Sequence, residues 1–151
     1  MVKSKNGQGG SQVNSRLLFQ NHKGFKMYKL SVTDSFSAAH RLCGYEGACS
    51  NLHGHNWTVR VALTSKKLDD IGMAMDFGLI KGLLKQITDE LDHAYLNDLP
   101  EFKEINPTSE NLARHIFERM ENKLANPLIQ VAEVEICESP SSSVVYYGPL
   151  R

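Results

Sequence analysis

No apolar run in this sequence approaches the roughly 20 residues that a membrane-spanning helix needs, and the first residues lack the apolar stretch of a secretory signal. Cysteine is scarce: Cys43, Cys49 and Cys137 are an odd number, with no C-x-x-C pair, which argues against a disulfide framework. Charge of either sign is not in excess, since 17 basic residues meet 17 acidic ones and neither forms a block. That balance argues against a nucleic-acid interface and against an anionic-membrane patch. There is no internal repeat and no heptad array. The default expectation is a soluble cytoplasmic protein with no nucleic-acid and no membrane partner.

What is present suits one compact domain. Of the 151 residues 41% are hydrophobic, enough for one continuous core and too few for two. Residues 1–26 are rich in Gly, Ser, Asn, Gln and Lys, with a single apolar patch at Leu17, Leu18 and Phe19, and read as a flexible leader or added extension. The domain proper is expected over 27–151.

Within it, apolar residues recur at every second position at Tyr28, Leu30, Val32 and, after a slip, Phe36, which predicts a half-buried strand ending near His40. Gly44, Gly47, Ser50 and Asn51 punctuate a loop. Alternation then resumes from His53 through Trp57, Val59, Val61 and Leu63, giving a second strand antiparallel to the first. Asp76 is a good N-cap for a helix whose stripe is Phe77, Ile80, Leu83, Leu84, Ile87 and Leu91, ending near Asp92. Pro107, Thr108, Ser109 and Glu110 start a second helix, which buries Leu112, Ile116, Phe117 and Met120 and stops at Asn126-Pro127. Ile129–Ile136 and Val144–Tyr147 read as two strands joined by the turn Ser139-Pro140-Ser141-Ser142. The order ββααββ predicts an α+β fold, a four-stranded antiparallel sheet with two helices on one face. Its two open edges favour edge-to-edge oligomerisation.

Three histidines carry the chemistry. His53 and His55 lie two apart on a strand, so both imidazoles share a face. His40, at the end of the preceding strand, returns beside them if the 43–52 loop joins an antiparallel pair. Three neutral imidazoles suit a zinc ion and leave one position open, the mark of a catalytic ion that polarises a bound hydroxyl or carbonyl. Other divalent transition metals suit the same donors. Any one of these histidines alone would more simply be a satisfied polar side chain.

Cys49 precedes His53 by four residues in a Gly-rich loop, where it can serve as a thiolate base, a fourth zinc ligand or a packed small hydrophobe. Asp92-His93 pairs a carboxylate with an imidazole, an arrangement that sets a tautomer and raises basicity, although adjacent Asp-His is common by chance. His115, between Arg114 and Glu118, and His22 in the leader are assigned to solvent. Arg41 and Lys103 are candidates for phosphate contacts.

Taken together, Ala38-Ala39-His40-Arg41-Leu42, Cys49-Ser50-Asn51-Leu52-His53-Gly54-His55, Leu91-Asp92-His93, Asn106-Pro107-Thr108-Ser109-Glu110 and Glu138 resemble the 6-pyruvoyl-tetrahydropterin synthase family. The bacterial 6-carboxy-tetrahydropterin synthases look most similar, by the three residues between Cys49 and His53 and by the Asn106–Glu110 block. The resemblance runs from about Met27 to Gly148. It implies a tunnelling fold (T-fold) that assembles into an oligomeric barrel, commonly a homohexamer of two stacked trimers. It implies zinc on His40, His53 and His55, and Cys49 as the proton-abstracting thiolate. Asp92 with His93 would act as a relay, Glu138 as the anchor of the pterin's guanidine-like edge, and Thr108 and Ser109 as pterin contacts, although helix capping explains these two equally well. The expected reaction converts 7,8-dihydroneopterin triphosphate to 6-carboxy-tetrahydropterin, acetaldehyde and triphosphate, a carbon–carbon lyase step feeding queuosine synthesis. The neighbouring expectations are a pyruvoyl product, or a pterin-binding ring protein without turnover.

Overall fold

The computed structural model describes residues 26–148. The expected leader therefore lies outside the described residues apart from Lys26, and so does His22. The elements run β1 (Tyr28–His40), β2 (His53–Ser65), α1 (Phe77–Leu91), α2 (Ser109–Lys123), β3 (Ile129–Ser139) and β4 (Ser142–Tyr147). Short 3-10 turns occupy Ala48–Ser50, Leu96–Asp98 and Pro100–Phe102. The strands form one antiparallel sheet in the order β1-β2-β3-β4, with both helices on the face that carries the core, as the sequence pattern predicts.

Register explains which face is buried. Phe36 pairs with Trp57 and Val32 with Val61, which in turn faces Val134 on β3, so period-2 side chains of three strands stack into one apolar layer. The expected slip in β1 does not occur. Position 34 stays on the inward face, filled by Asp34, which accepts a hydrogen bond from Thr88 Oγ1 of α1 at 2.6 Å. A polar residue in an apolar row thus marks a tie to a helix rather than a change of phase. A bulge between Ala62 and Leu63 shifts β3 against β2.

Asp76 caps α1 by accepting from the N–H groups of Gly78 and Leu79, a contact whose loss typically costs about 1 kcal/mol. Ile80, Leu84, Ile87 and Leu91 are fully buried or nearly so, each contributing about 1.5–3 kcal/mol of transfer free energy. Phe77, assigned to the same stripe, is the first residue of α1 and is 53% exposed. Thr108 caps α2 by accepting from Asn111 N–H, and the helix ends at Lys123, three residues before the expected stop. Among the described residues no helix is long and apolar enough to cross a membrane.

Candidate metal centre and its pockets

The β1–β2 hairpin sets His40 opposite His53 and Ala38 opposite His55. All three imidazoles project on the helix-covered face at the open end of the core. Trp57, two residues beyond His55 on the same face, is fully buried and forms their floor, its ring 5.2 Å from His40 and 5.1 Å from His55. The ring centroids of the three histidines lie 4.5–5.3 Å apart. The nearest ring nitrogens, Nε2 of His40 and Nε2 of His53, are 3.1 Å apart.

The outer nitrogens of two rings are tethered. His40 Nδ1 sits 2.8 Å from the carbonyl of Pro107, and His53 Nδ1 sits 2.8 Å from that of Asn51. Carbonyls only accept, so Nδ1 carries the proton in both rings and each Nε2 presents its lone pair to the centre. His55 Nε2 is buried and without a hydrogen-bond partner, although Glu138 Oε1 approaches within 3.2 Å. Burial holds His40 below its ordinary pKa, opposed by the Pro107 carbonyl and reinforced by the two neighbouring imidazoles. His40 is therefore kept in the neutral form that ligates a metal.

His40, His53, His55 and Glu138 place one donor atom each within 4.8 Å of one another, a set that could hold a metal ion. An orphaned buried imidazole nitrogen and two pre-set tautomers are what an ion in the middle would satisfy, so the residues fit zinc or a similar divalent metal. The fourth member was not expected as a donor. Glu138 is half-buried near the end of β3, and Ser109 Oγ donates to its Oε2 at 2.9 Å. The resemblance points to Glu138 as a pterin contact, but its approach to the imidazoles depends on the β2–β3 pairing that ends at Thr58–Cys137 and on the register shift between Cys137 and Ser139 against β4, which no local pattern reveals.

Two pockets adjoin the cluster. One, of about 370 Å³, is lined by His40, Cys49, Thr108, Ser109 and Glu138 among others. The other, also about 370 Å³ and more open, is lined by Ser37, Ala39, Gly54, His55 and His93. Cys49 and His93 thus reach the histidines from different sides. A Cβ at Gly54 would meet only ordinary contacts, so no steric demand for glycine arises there. Arg41 and Lys103 line a third cavity of about 410 Å³, where Lys103 Nζ lies 3.3 Å from Asp98. An apolar cavity at the far end of the sheet, near Met27, Pro127 and Leu128, holds no histidine, cysteine or carboxylate.

The Asp92–His93 pair is built by the end of α1. Asp92 is its C-cap, and His93 follows with φ 57°, the left-handed turn that commonly ends a helix and that histidine adopts more readily than most residues. Asp92 Oδ1 accepts from Ser37 N–H at 2.8 Å and Oδ2 lies 2.9 Å from His93 Nδ1. Those two hydrogen bonds, the Ser37 N–H first, hold the Asp92 carboxyl below its usual pKa. The His93 side chain is 83% exposed.

His115 does not face solvent as expected. It packs on Phe102 with ring centroids 5.4 Å apart, lies 3.3 Å from Glu101 Oε1, and has a buried Nε2 without a hydrogen-bond partner. The turn at Pro100–Phe102 folds over it, which the helical charge pattern around it cannot reveal.

Comparison with known proteins places this geometry. A model of the family described as 6-pyruvoyl tetrahydropterin synthase matches residues 29–149. A 6-pyruvoyl tetrahydrobiopterin synthase of Dictyostelium discoideum is 37% identical over 131 residues, covering 79% of this chain and 95% of that protein. A 6-carboxy-5,6,7,8-tetrahydropterin synthase of a Synechocystis strain is 38% identical over 120 residues, covering 76% and 89%. The solved structure of Caenorhabditis elegans 6-pyruvoyl tetrahydropterin synthase superposes with a TM-score of 0.74 at 32% identity, covering 83% of this chain and 98% of that one.

Proposed function

The chain belongs to the 6-pyruvoyl tetrahydropterin synthase family, and on that premise we propose that it is a zinc-dependent lyase. It takes 7,8-dihydroneopterin triphosphate and water to 6-carboxy-5,6,7,8-tetrahydropterin, acetaldehyde and triphosphate, a cytoplasmic step toward queuosine and related deazapurines. One observation carries the reading: three imidazole nitrogens converge beside a pocket that also holds a thiol and a carboxylate. Three free cysteines suit a reducing compartment.

His40, His53 and His55 would hold the ion. Bound there, zinc supplies Lewis acidity toward the side-chain hydroxyls of the substrate. Cys49, as thiolate, removes a carbon-bound proton of the side chain. Asp92 fixes the Nδ1–H of His93, leaving Nε2 to exchange a proton with substrate from the other side of the cluster. Glu138 receives the amino group and ring N–H of the pterin in two parallel hydrogen bonds, one to each oxygen, while Ser109 donates to the second lone pair of Oε2 and Thr108 shapes the same wall. Arg41 and Lys103 take phosphate oxygens at the adjoining cavity. The outer edges of β1 and β4 support assembly side by side into a homohexamer of two trimers.

The D. discoideum relative keeps a pyruvoyl product in view as the second reading. Mass-spectrometric product analysis after incubating zinc-loaded protein with 7,8-dihydroneopterin triphosphate separates the two. The 6-carboxy product with acetaldehyde is expected. Pyruvoyl-tetrahydropterin would move the chain to the sister activity, and untouched substrate would leave a pterin-binding ring protein.

A further inference from the structure

The outer edge of β1 is closed over its last half by a sequence of bonds that ends at the Cys49 loop. Ser37 N–H donates to Asp92 Oδ1 at 2.8 Å, and Ser37 C=O accepts from His93 N–H at 2.6 Å. Two residues on, Ala39 N–H donates to the Ala94 carbonyl at 3.0 Å. Two further on, past the end of the strand, one side chain takes both main-chain groups. Arg41 N–H donates to Asn97 Oδ1 and Arg41 C=O accepts from Asn97 Nδ2, both at 3.0 Å. Cys43 repeats the pattern with Asn106, at 2.7 Å to Oδ1 and 2.9 Å from Nδ2.

Each carboxamide thus satisfies both main-chain groups of one residue, as a neighbouring strand would. The residue between them faces the other way, and Leu42 N–H donates to the Cys49 carbonyl at 2.8 Å. Among the described residues the other hydrogen bonds of the 44–52 loop are internal or run to His53. Residues 41–43 are therefore an extended splint, gripped by two asparagines on one side and carrying Cys49 on the other. Asn106 also begins the segment that reaches the rest of the site. Its carbonyl accepts from Asn111 Nδ2 and Thr108 N–H, the next carbonyl accepts from His40 Nδ1, and Ser109 holds Glu138.

We propose that Asn97 and Asn106 are positioning residues, which set the Cys49 loop over the three-histidine group by gripping Arg41 and Cys43. The claim deepens the reading of Cys49 as the base and rests on it. Carboxamides are required because each grip needs one donor and one acceptor. Aspartate offers no donor and would set a carboxylate against a carbonyl, while alanine leaves both main-chain groups to water.

The test uses full-length protein carrying Cys43→Ser and Cys137→Ser, so that iodoacetamide reports on Cys49 alone. Asn97→Asp, Asn106→Asp and Asn106→Ala are compared for alkylation rate, metal per chain, kcat and KM. The expected result is bound metal unchanged, alkylation altered several-fold, and kcat lowered about 10–100-fold with KM within about 2-fold, as for a catalytic group displaced by under 1 Å. Unaltered alkylation and kcat, or loss of the metal, would overturn the proposal. Altered alkylation with unchanged kcat would keep the grip and remove Cys49 from the chemistry instead. Should the variants fail to fold, amide hydrogen exchange in the unsubstituted protein decides: protected Arg41 and Cys43 amides uphold the grip, and exchange at the rate of open chain overturns it.

Discussion

Among the described residues two places bury histidine, and only one of them gathers several donors around a common point. His115 and the His40–His53–His55 group share half-buried or buried rings, a nearby carboxylate and a buried nitrogen without a hydrogen-bond partner. Burial lowers the pKa of both His115 and His40. What separates them is direction. In the cluster, carbonyls of Pro107 and Asn51 take the outer protons and turn lone pairs inward toward a common point. At His115 one imidazole meets one carboxylate and an aromatic ring. Burial and a shifted pKa are thus shared by an isolated packed histidine and by one placed among converging donors, and convergence is the discriminating property.

The largest expected effect tests convergence directly. His55→Ala should reduce bound zinc from one per chain to near zero and lower turnover by about 10³-fold or more, measured by elemental analysis and steady-state rates. His115→Ala should leave the metal content as it is. A variant at His115 that empties the site would dissolve the contrast. Next in size, zinc at 100 times its dissociation constant should stabilise the folded chain by about 2.7 kcal/mol, read as a rise in Tm, and His115→Gln should show the same increment.

Glu138→Gln sharpens the cluster's own boundary. If the carboxylate anchors the pterin, the amide keeps the zinc and KM rises by about 10–100-fold, the loss of a charged hydrogen-bond pair. Loss of zinc instead would make Glu138 the fourth ligand. The smallest effect belongs to His115. Burial, opposed by Glu101, holds it below its ordinary 6.5. The unfolded chain therefore takes up the proton first as pH falls below 6.5, and stability declines from there down to the folded-state value. In His115→Gln that component should vanish from a urea-denaturation series against pH, with the metal site unchanged.

Much of this was legible because it is periodic. The alternation from His53 to Leu63 sets the β2 face, His-x-His sets two donors on it, and Asp76 and Thr108 announce both helices by their capping chemistry. His40 joins them as soon as the hairpin closes. What was not legible depends on side chains reaching across the fold. Asp34 interrupts the apolar row of β1, and its bond to Thr88 of α1 leaves no trace in the strand's own pattern. Glu138 arrives through the end of the β2–β3 pairing and the register shift between Cys137 and Ser139. Asn97 and Asn106 imitate a strand with side chains, and no spacing rule signals that. His115 was misplaced because its cover comes from a different segment, the turn at Phe102.

The closed half of the β1 edge has a further consequence, for colloidal behaviour rather than chemistry. A bare edge strand templates any passing chain, and long flat ones seed fibres. Here the main chain from Ser37 to Cys43 already has its partners, so an incoming strand meets a stop and can lie only along Lys29–Ser35. That stretch is about as long as β4, the strand at the opposite edge. In the ring proposed above, the two free edges are of about equal length, so each seam between neighbours can pair along its whole extent and leave no bare edge beyond it.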